Sequence, residues 1–185
     1  MLSVKLQKRP KDLKKNFPKG CIRMKQKKVW LLAGIPGSGK STWVRKQIAE
    51  KGGVHCSRDE IRFSLLKEGE DYFAHEDEVV RLWTEKVHQA ILSPDVGDVY
   101  IDATHLTEKS RAKVINALPT ADYVIITVFF EVPLEICLER NERRTGLAYV
   151  PRSVIQKMYA SYDRNTVLGD GTLHLDENGE WRGIE

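Results

Sequence analysis

Val29-Trp30-Leu31-Leu32-Ala33-Gly34-Ile35-Pro36-Gly37-Ser38-Gly39-Lys40-Ser41-Thr42 enters as an apolar run suited to a buried strand and leaves as a helical pattern. Gly34, Gly39, Lys40 and Ser41 meet the spacing G-x-x-x-x-G-K-[ST] of a phosphate-binding loop. Glycines let the backbone close around phosphate oxygens, so several N–H groups and a helix N-terminus point at the anion. Gly37, Ser38, Gly39, Lys40, Ser41 and Thr42 are therefore the expected nucleotide-binding residues. Lys40 brings positive charge to the β- and γ-phosphates, and the Ser41 hydroxyl is the expected Mg²⁺ ligand. An ordinary strand-to-helix turn needs neither the lysine nor the hydroxyl. The expected ligands are ATP and Mg²⁺.

Outward from this loop, strand and helix patterns alternate. Residues 41–51 have helix-forming composition and end at Gly52-Gly53. Residues 54–56 suit a second strand, and Ser57 with Glu60 forms a capping-box pattern ahead of an apolar stripe at Ile61, Leu65 and Leu66. Residues 69–74 read as a loop. Val79, Val80, Trp83, Val87, Ala90 and Ile91 then recur at helical spacing over 76–92. Residues 99–102 read as a third strand ending on a carboxylate, 107–118 as a helix, and the very apolar 124–130 as a central strand. Pro133 opens a helix to about Arg140, and Pro151 opens a last one to about Asp163. This alternation predicts an α/β fold, a P-loop NTPase-type parallel sheet with helices on both faces. Its expected extent is 29–163. Residues 1–28 form a basic arm ahead of it, and 164–185 a C-terminal extension with a short hairpin through Asn178-Gly179.

A chain of 185 residues fits one domain with tails, and 41% hydrophobic with 30% charged residues describes a soluble globular protein. No apolar run approaches the roughly 20 residues that cross a bilayer, so no membrane association is expected. The N-terminus lacks the apolar centre of a secretory signal. Cys21, Cys56 and Cys137 are an odd, scattered set without metal-ligand spacing, as suits a reducing cytoplasm. His75, His88 and His105 likewise make no metal pattern. The net charge of +4 conceals an asymmetry, because residues 1–28 hold eleven Lys/Arg against the single acid Asp12. Such an arm either holds nucleic acid by counterion release, or is a solvated tail or a segment upstream of a start at Met24.

The residues downstream of the loop choose the chemistry. There is no run of four apolar residues followed by Asp-Glu, as in an ATPase motor, and no Asn-Lys-x-Asp guanine-reading sequence. A carboxylate, Asp59, instead follows the second strand, and ligands of such sheets gather at the carboxyl ends of strands. Phosphoryl transfer to a hydroxyl needs in-line placement, charge neutralisation and a group to accept the proton, which Asp59 fits. Arg58 and Arg62 bracket it, with Arg62 on the same helix face, placed to clamp an anionic acceptor and keep Asp59 ionised. Asp102, with Thr104 two residues on, is placed to reach the metal through water, or to orient Arg62 or the acceptor. Arg140, Arg143 and Arg144, followed by Gly146, read as an arginine-bearing lid that folds over the ATP phosphates. Asp59, Lys40, Arg62 and Arg144 form the expected catalytic set.

Gly34 to Trp43, Ser57-Arg58-Asp59-Glu60-Ile61-Arg62, Arg140-Asn141-x-x-Arg144, and Pro151 to Met158-Tyr159-x-Ser161-Tyr162 together resemble the kinase domain of the bacteriophage-type polynucleotide 5′-kinase family. The likeness covers about 29–163 with the motifs in the family's order. It implies Asp59 as general base on a 5′-hydroxyl, Arg62 on an acceptor phosphate, and Arg140 and Arg144 on ATP. Arg58, Arg62, Asp102 and Thr104 make the implied acceptor-binding set. His105 stands where the family pattern often has Asn. Asp170-Gly171-Thr172-Leu173 resembles the tail of the family's phosphatase signature, but Leu168 occupies the nucleophile position, so no 3′-phosphatase is expected. The resemblance implies phosphorylation of the 5′-hydroxyl end of RNA or DNA. A small-molecule kinase on the same scaffold and a non-catalytic nucleotide-gated binding module are the alternatives.

Overall fold

In the computed structural model, which describes residues 26–182, Lys27–Ala33 forms β1. Val29, Leu31, Leu32 and Ala33 are buried, so this strand is covered on both faces, as a central parallel strand must be. The basic arm read at 1–28, with Cys21 and Met24, lies outside the described residues except for its last three. Of those, Lys27 closes the end of a helix, its ammonium donating to the carbonyls of Ala90, Ile91 and Ser93 at 2.6–2.9 Å.

The chain continues through α1 (Lys40–Lys51), β2 (Val54–Ser57), α2 (Arg58–Leu65), α3 (Glu76–Leu92), β3 (Val99–Asp102) and α4 (Glu108–Ala117). Then come β4 (Tyr123–Phe130), α5 (Leu134–Glu142), a 3₁₀ turn at Gly146–Ala148, α6 (Arg152–Ala160) and β5 (Gly171–Leu175). All strand pairs are parallel, in the order β2-β3-β1-β4-β5, with Leu31 aligned to Ile101 on one side and Thr127 on the other. Helices cover both faces. On one, Trp43 and Val44 of α1, Cys137 and Leu138 of α5 and Ile155 of α6 pack on Leu32, Val128 and Phe130. On the other, Trp83, Val87, Ala90 and Ile91 of α3 pack on Val29, Leu31, Ile101 and Ile125. The carboxyl ends of β1 and β3 meet where α1 begins, which is where such a sheet offers its crevice.

Three local expectations change. Ser57 does accept from the Glu60 N–H at 3.2 Å, but the Glu60 carboxylate pairs with His55 rather than returning to the cap. The reciprocal capping box sits instead at Thr107 and Ser110. The last two predicted helices also shift: α5 runs on to Glu142, and α6 stops at Ala160. Finally, Gly171–Leu175 of the C-terminal segment pairs along Ile126–Phe130 as a fifth strand of the same sheet. The turn at Asn178-Gly179 follows it and returns Trp181 antiparallel to Leu175.

Candidate active site

The loop between β1 and α1 has the curvature an anion cradle requires. Gly37 and Gly39 hold φ of +84° and +92°. A Cβ on Gly37 would lie 2.3 Å from the Cys137 carbonyl oxygen, so the loop can press against α5 only as glycine. Trp43, immediately after the loop, meets Trp30, Tyr100 and Phe130 edge-on at 5.9–6.1 Å and anchors α1 in the core. The Lys40 ammonium donates to the carbonyls of Gly34 and Ile35 at 2.8 and 3.0 Å, closing the loop on itself. Burial pushes its pKa down, against the pull of Asp102 and Asp59. Ser38 is buried, and its hydroxyl has no partner among the described residues. Thr42 faces solvent, with Arg45 3.4 Å from its hydroxyl.

The Ser41 hydroxyl donates to Asp102 Oδ2 at 2.8 Å, and the same oxygen lies 2.9 Å from His55 Nε2. Burial alone would raise the Asp102 carboxyl; the His55 contact, the Lys40 charge and the Ser41 hydroxyl outweigh it and hold the pKa below the ordinary value. Asp102 is thus a buried carboxylate behind Ser41. Its two partners are Ser41 at the start of α1 and His55 on β2, and no hydrogen bond joins it to Arg62. Ser41 and Asp102 are hard oxygen donors of the kind Mg²⁺ takes alongside phosphate oxygens and water. No group of three or more His, Cys, Asp or Glu among the described residues could hold a metal unaided. Thr104 contributes its carbonyl to the Gly34 N–H at 2.9 Å, tying the loop after β3 to the loop after β1.

Across the crevice, Asp59 occupies the first turn of α2 with its side chain 63% exposed. Its Oδ1 accepts from Arg62 Nη1 at 2.7 Å and from the Tyr72 hydroxyl at 2.9 Å. Oδ2 has no hydrogen-bond partner among the described residues. Arg62 is only 4% exposed, and its Nη2 donates to Glu76 at 2.6 Å. Arg58 pairs with the same glutamate. Burial works against the Arg62 charge, but Glu76, Tyr72 and Asp59 more than offset it and raise its pKa. Burial and the Asp59 charge push Tyr72 up to about 12, which keeps it a neutral donor. In place of the expected free clamp, Arg62 is a buried hub already engaged by two carboxylates. Tyr72 and Glu76 escaped the sequence reading. They lie ten and fourteen residues beyond Arg62, with no local spacing to link them; the one available signal is an aromatic and an acid at the turn into α3.

At the other rim, Arg140 donates to the Glu177 carbonyl at 2.7 Å and reaches the Gly37 carbonyl at 3.4 Å. Arg144 is exposed, 3.5 Å from the Ala148 carbonyl, and its charge acts on Lys40. Arg143 points away, paired with Glu139. The segment between α5 and α6 is closed at its base by Asn141, whose amide donates to the Val150 carbonyl at 2.8 Å and accepts from its N–H at 3.1 Å. No described helix is long and apolar enough to cross a membrane.

Comparison with known proteins agrees with this geometry. A putative bifunctional polynucleotide kinase/RNA ligase of Autographa californica nuclear polyhedrosis virus is 28% identical over 148 residues, 74% of this chain and 21% of that protein. An L-seryl-tRNA(Sec) kinase of Methanococcus maripaludis is 28% identical over 138 residues, 72% of this chain and 51% of that protein. The chain therefore spans about a fifth of the first and half of the second. Among solved structures, the Pnkp1/Rnl/Hen1 RNA repair complex contains a chain that matches with a TM-score of 0.63 and 26% identity, over 75% of this chain and 44% of that one. Residues 29–165, from β1 to just past α6, match the AAA_33 family, described as an AAA domain. With most of its length matched, the chain belongs to that family and is a P-loop kinase domain.

Proposed function

We propose that this domain transfers the γ-phosphoryl group of ATP to the 5′-hydroxyl end of RNA or DNA. The observation that carries the reading is the Asp59 carboxylate: exposed, oriented through Oδ1 by Arg62 and Tyr72, with Oδ2 unengaged and its charge felt at Lys40. In the proposed step the acceptor oxygen attacks the γ-phosphorus, the bond from that phosphorus to the β,γ-bridging oxygen breaks, and the hydroxyl proton passes to Asp59 Oδ2. The products are ADP and a 5′-phosphate. Lys40 turns from its own loop carbonyls to the phosphates, and Arg140 and Arg144 approach from the lid to offset charge in the transition state. Ser41, with Asp102 behind it, would hold Mg²⁺, which would supply positive charge against the phosphates. Arg58 and Arg62 exchange Glu76 for an acceptor phosphate, with Thr104 as a further acceptor-binding residue on the loop after β3. The likeness to the viral polynucleotide kinase/RNA ligase supports the polynucleotide acceptor, and the one to the seryl-tRNA kinase supports hydroxyl phosphorylation more broadly.

The test is labelled γ-phosphate transfer to a 5′-hydroxyl oligonucleotide, run beside sugars, nucleosides and seryl-tRNA. Transfer to the oligonucleotide alone is expected. Transfer only to a small molecule overturns the polynucleotide acceptor while leaving the kinase chemistry intact. Asp59→Asn is expected to lower turnover by about 10²–10⁴-fold, the usual span of a general base. ATP affinity should stay within a few fold, and unchanged turnover in that variant would remove Asp59 from the mechanism.

A further inference from the structure

The turn between α2 and α3 carries an aromatic cluster of which the phosphoryl-transfer step uses only one hydroxyl. Phe73 is 63% exposed and Phe63 37% exposed. Tyr72 lies between them, with Phe73 edge-on at 4.9 Å and 84° and Phe63 at 6.4 Å and 69°. The Arg62 guanidinium stands 4.4 Å from the Tyr72 ring centre and 5.8 Å from that of Phe73. The same arginine and the same tyrosine hold Asp59. The orientation of the outermost ring is therefore coupled to the orientation of the carboxylate. A 5′-hydroxyl delivered to Asp59 Oδ2 is one ribose away from its own base, and Tyr72 links Asp59 to Phe73, its hydroxyl on the carboxylate and its ring against the phenyl.

We propose that Phe73, braced by Tyr72, is the stacking platform for the base of the acceptor's 5′-terminal nucleotide. The proposal rests on the polynucleotide reading above. Exposed rings of this kind bind any base, because every base has a π-face. The charge around Phe73 favours a base over a phosphate. Phe73 borders a shallow cleft of about 310 Å³ whose other walls include Glu76, Asp77 and Glu78. Glu76 is held by Arg58 and Arg62, which leaves Asp77 and Glu78 to repel backbone phosphates and accept hydrogen bonds from the exocyclic amines of bases.

The experiment pairs ring removal with base removal. Initial rates are measured for the wild type and for Phe73→Ala on two oligonucleotides that differ only in an intact or abasic 5′-terminal nucleotide. Phe73→Ala is expected to raise KM for the intact end about tenfold, with a much smaller change in kcat. Removing the base is expected to cost the wild type a similar factor and to cost Phe73→Ala almost nothing further. Phe73→Trp should recover or improve the wild-type KM. Equal costs of base removal in wild type and Phe73→Ala overturn the platform, since they show the ring and the base acting independently, as they would if Phe73 merely steadied Tyr72. A wild type that phosphorylates intact and abasic ends equally well overturns the platform alone. A wild type that phosphorylates neither overturns the polynucleotide reading and this proposal with it. The melting midpoint of Phe73→Ala checks its fold, and little change is expected for so exposed a ring.

Discussion

One oxygen of Asp59 is held by Arg62 and Tyr72 and the other has no partner among the described residues, the geometry the proposed general base requires. A second residue-scale arrangement supports the donor side: Ser41, Asp102, His55 and Glu60 form a continuous chain of contacts from the loop to α2. His105 is a third. It holds φ of 42°, an unusual conformation for a residue with a side chain, and is buried with Nδ1 2.7 Å from the Leu32 carbonyl and its ring 6.0 Å from Trp83. Asn tolerates the same conformation, so a histidine at this position is compatible with the turn and serves the scaffold. Burial pushes its pKa down to about 4, only partly opposed by the Leu32 bond. A base whose folded value lies below its unfolded value of about 6.5 is stabilised above 6.5, and that stability is lost as pH falls toward 4. The loss attributable to His105 is on the order of 3 kcal/mol. Urea midpoints at pH 7 and pH 4.5 should therefore fall further apart in the wild type than in His105→Asn. Parallel shifts in the two proteins would show that His105 does not titrate this way.

At the scale of elements, the proposed lid comprises the last turn of α5, a 3₁₀ turn and the entry to α6. The cluster of arginines ahead of a glycine was legible as sequence, but the bonds that close the segment at its base were not. Asn141, 2% exposed, serves Val150 much as a neighbouring strand would, and nothing in a lone Asn announces a partner nine residues away. Asn141→Ala removes both bonds and leaves the Val150 amide group without them. The expected cost is about 2 kcal/mol of stability together with a several-fold rise in KM for ATP. A titration that finds ATP binding unaltered would separate the clamp from the lid's function. Glu60 teaches the same lesson. Its spacing from Ser57 satisfies the capping box, yet His55, brought alongside by the end of β2, takes the carboxylate instead.

For the whole molecule, the C-terminal segment shows most plainly how tertiary contact overrides local pattern. Gly171–Leu175 alternates weakly, and only Leu175 is buried, so as a sequence it reads like an appendage. In the fold it completes the sheet, and the stretch leading to it is pinned at several points. The buried Thr127 hydroxyl donates to the Leu168 carbonyl at 2.6 Å, Asp170 accepts from the Ile125 N–H at 2.9 Å, and Arg140 reaches Glu177. A chain cut after residue 165 loses these bonds and exposes the edge of β4, an apolar strand prone to pairing with other chains. We expect it to melt well below the full chain or to aggregate, read by calorimetry and light scattering; an unchanged melting midpoint would show that the sheet stands without β5. The phosphate loop, the strand–helix alternation and the placement of Asp59 at the start of α2 were determined by the sequence alone. Each depends on neighbours a few residues apart, where glycine conformation, apolar period and capping chemistry operate. What only the tertiary structure decided are the contacts between distant segments: Tyr72 and Glu76 on Arg62, Asp102 beneath Ser41, Asn141 on Val150, and β5 beside β4. Such partners are chosen by which surfaces the folded sheet brings within about 3 Å, and hydrogen bonds reach no further.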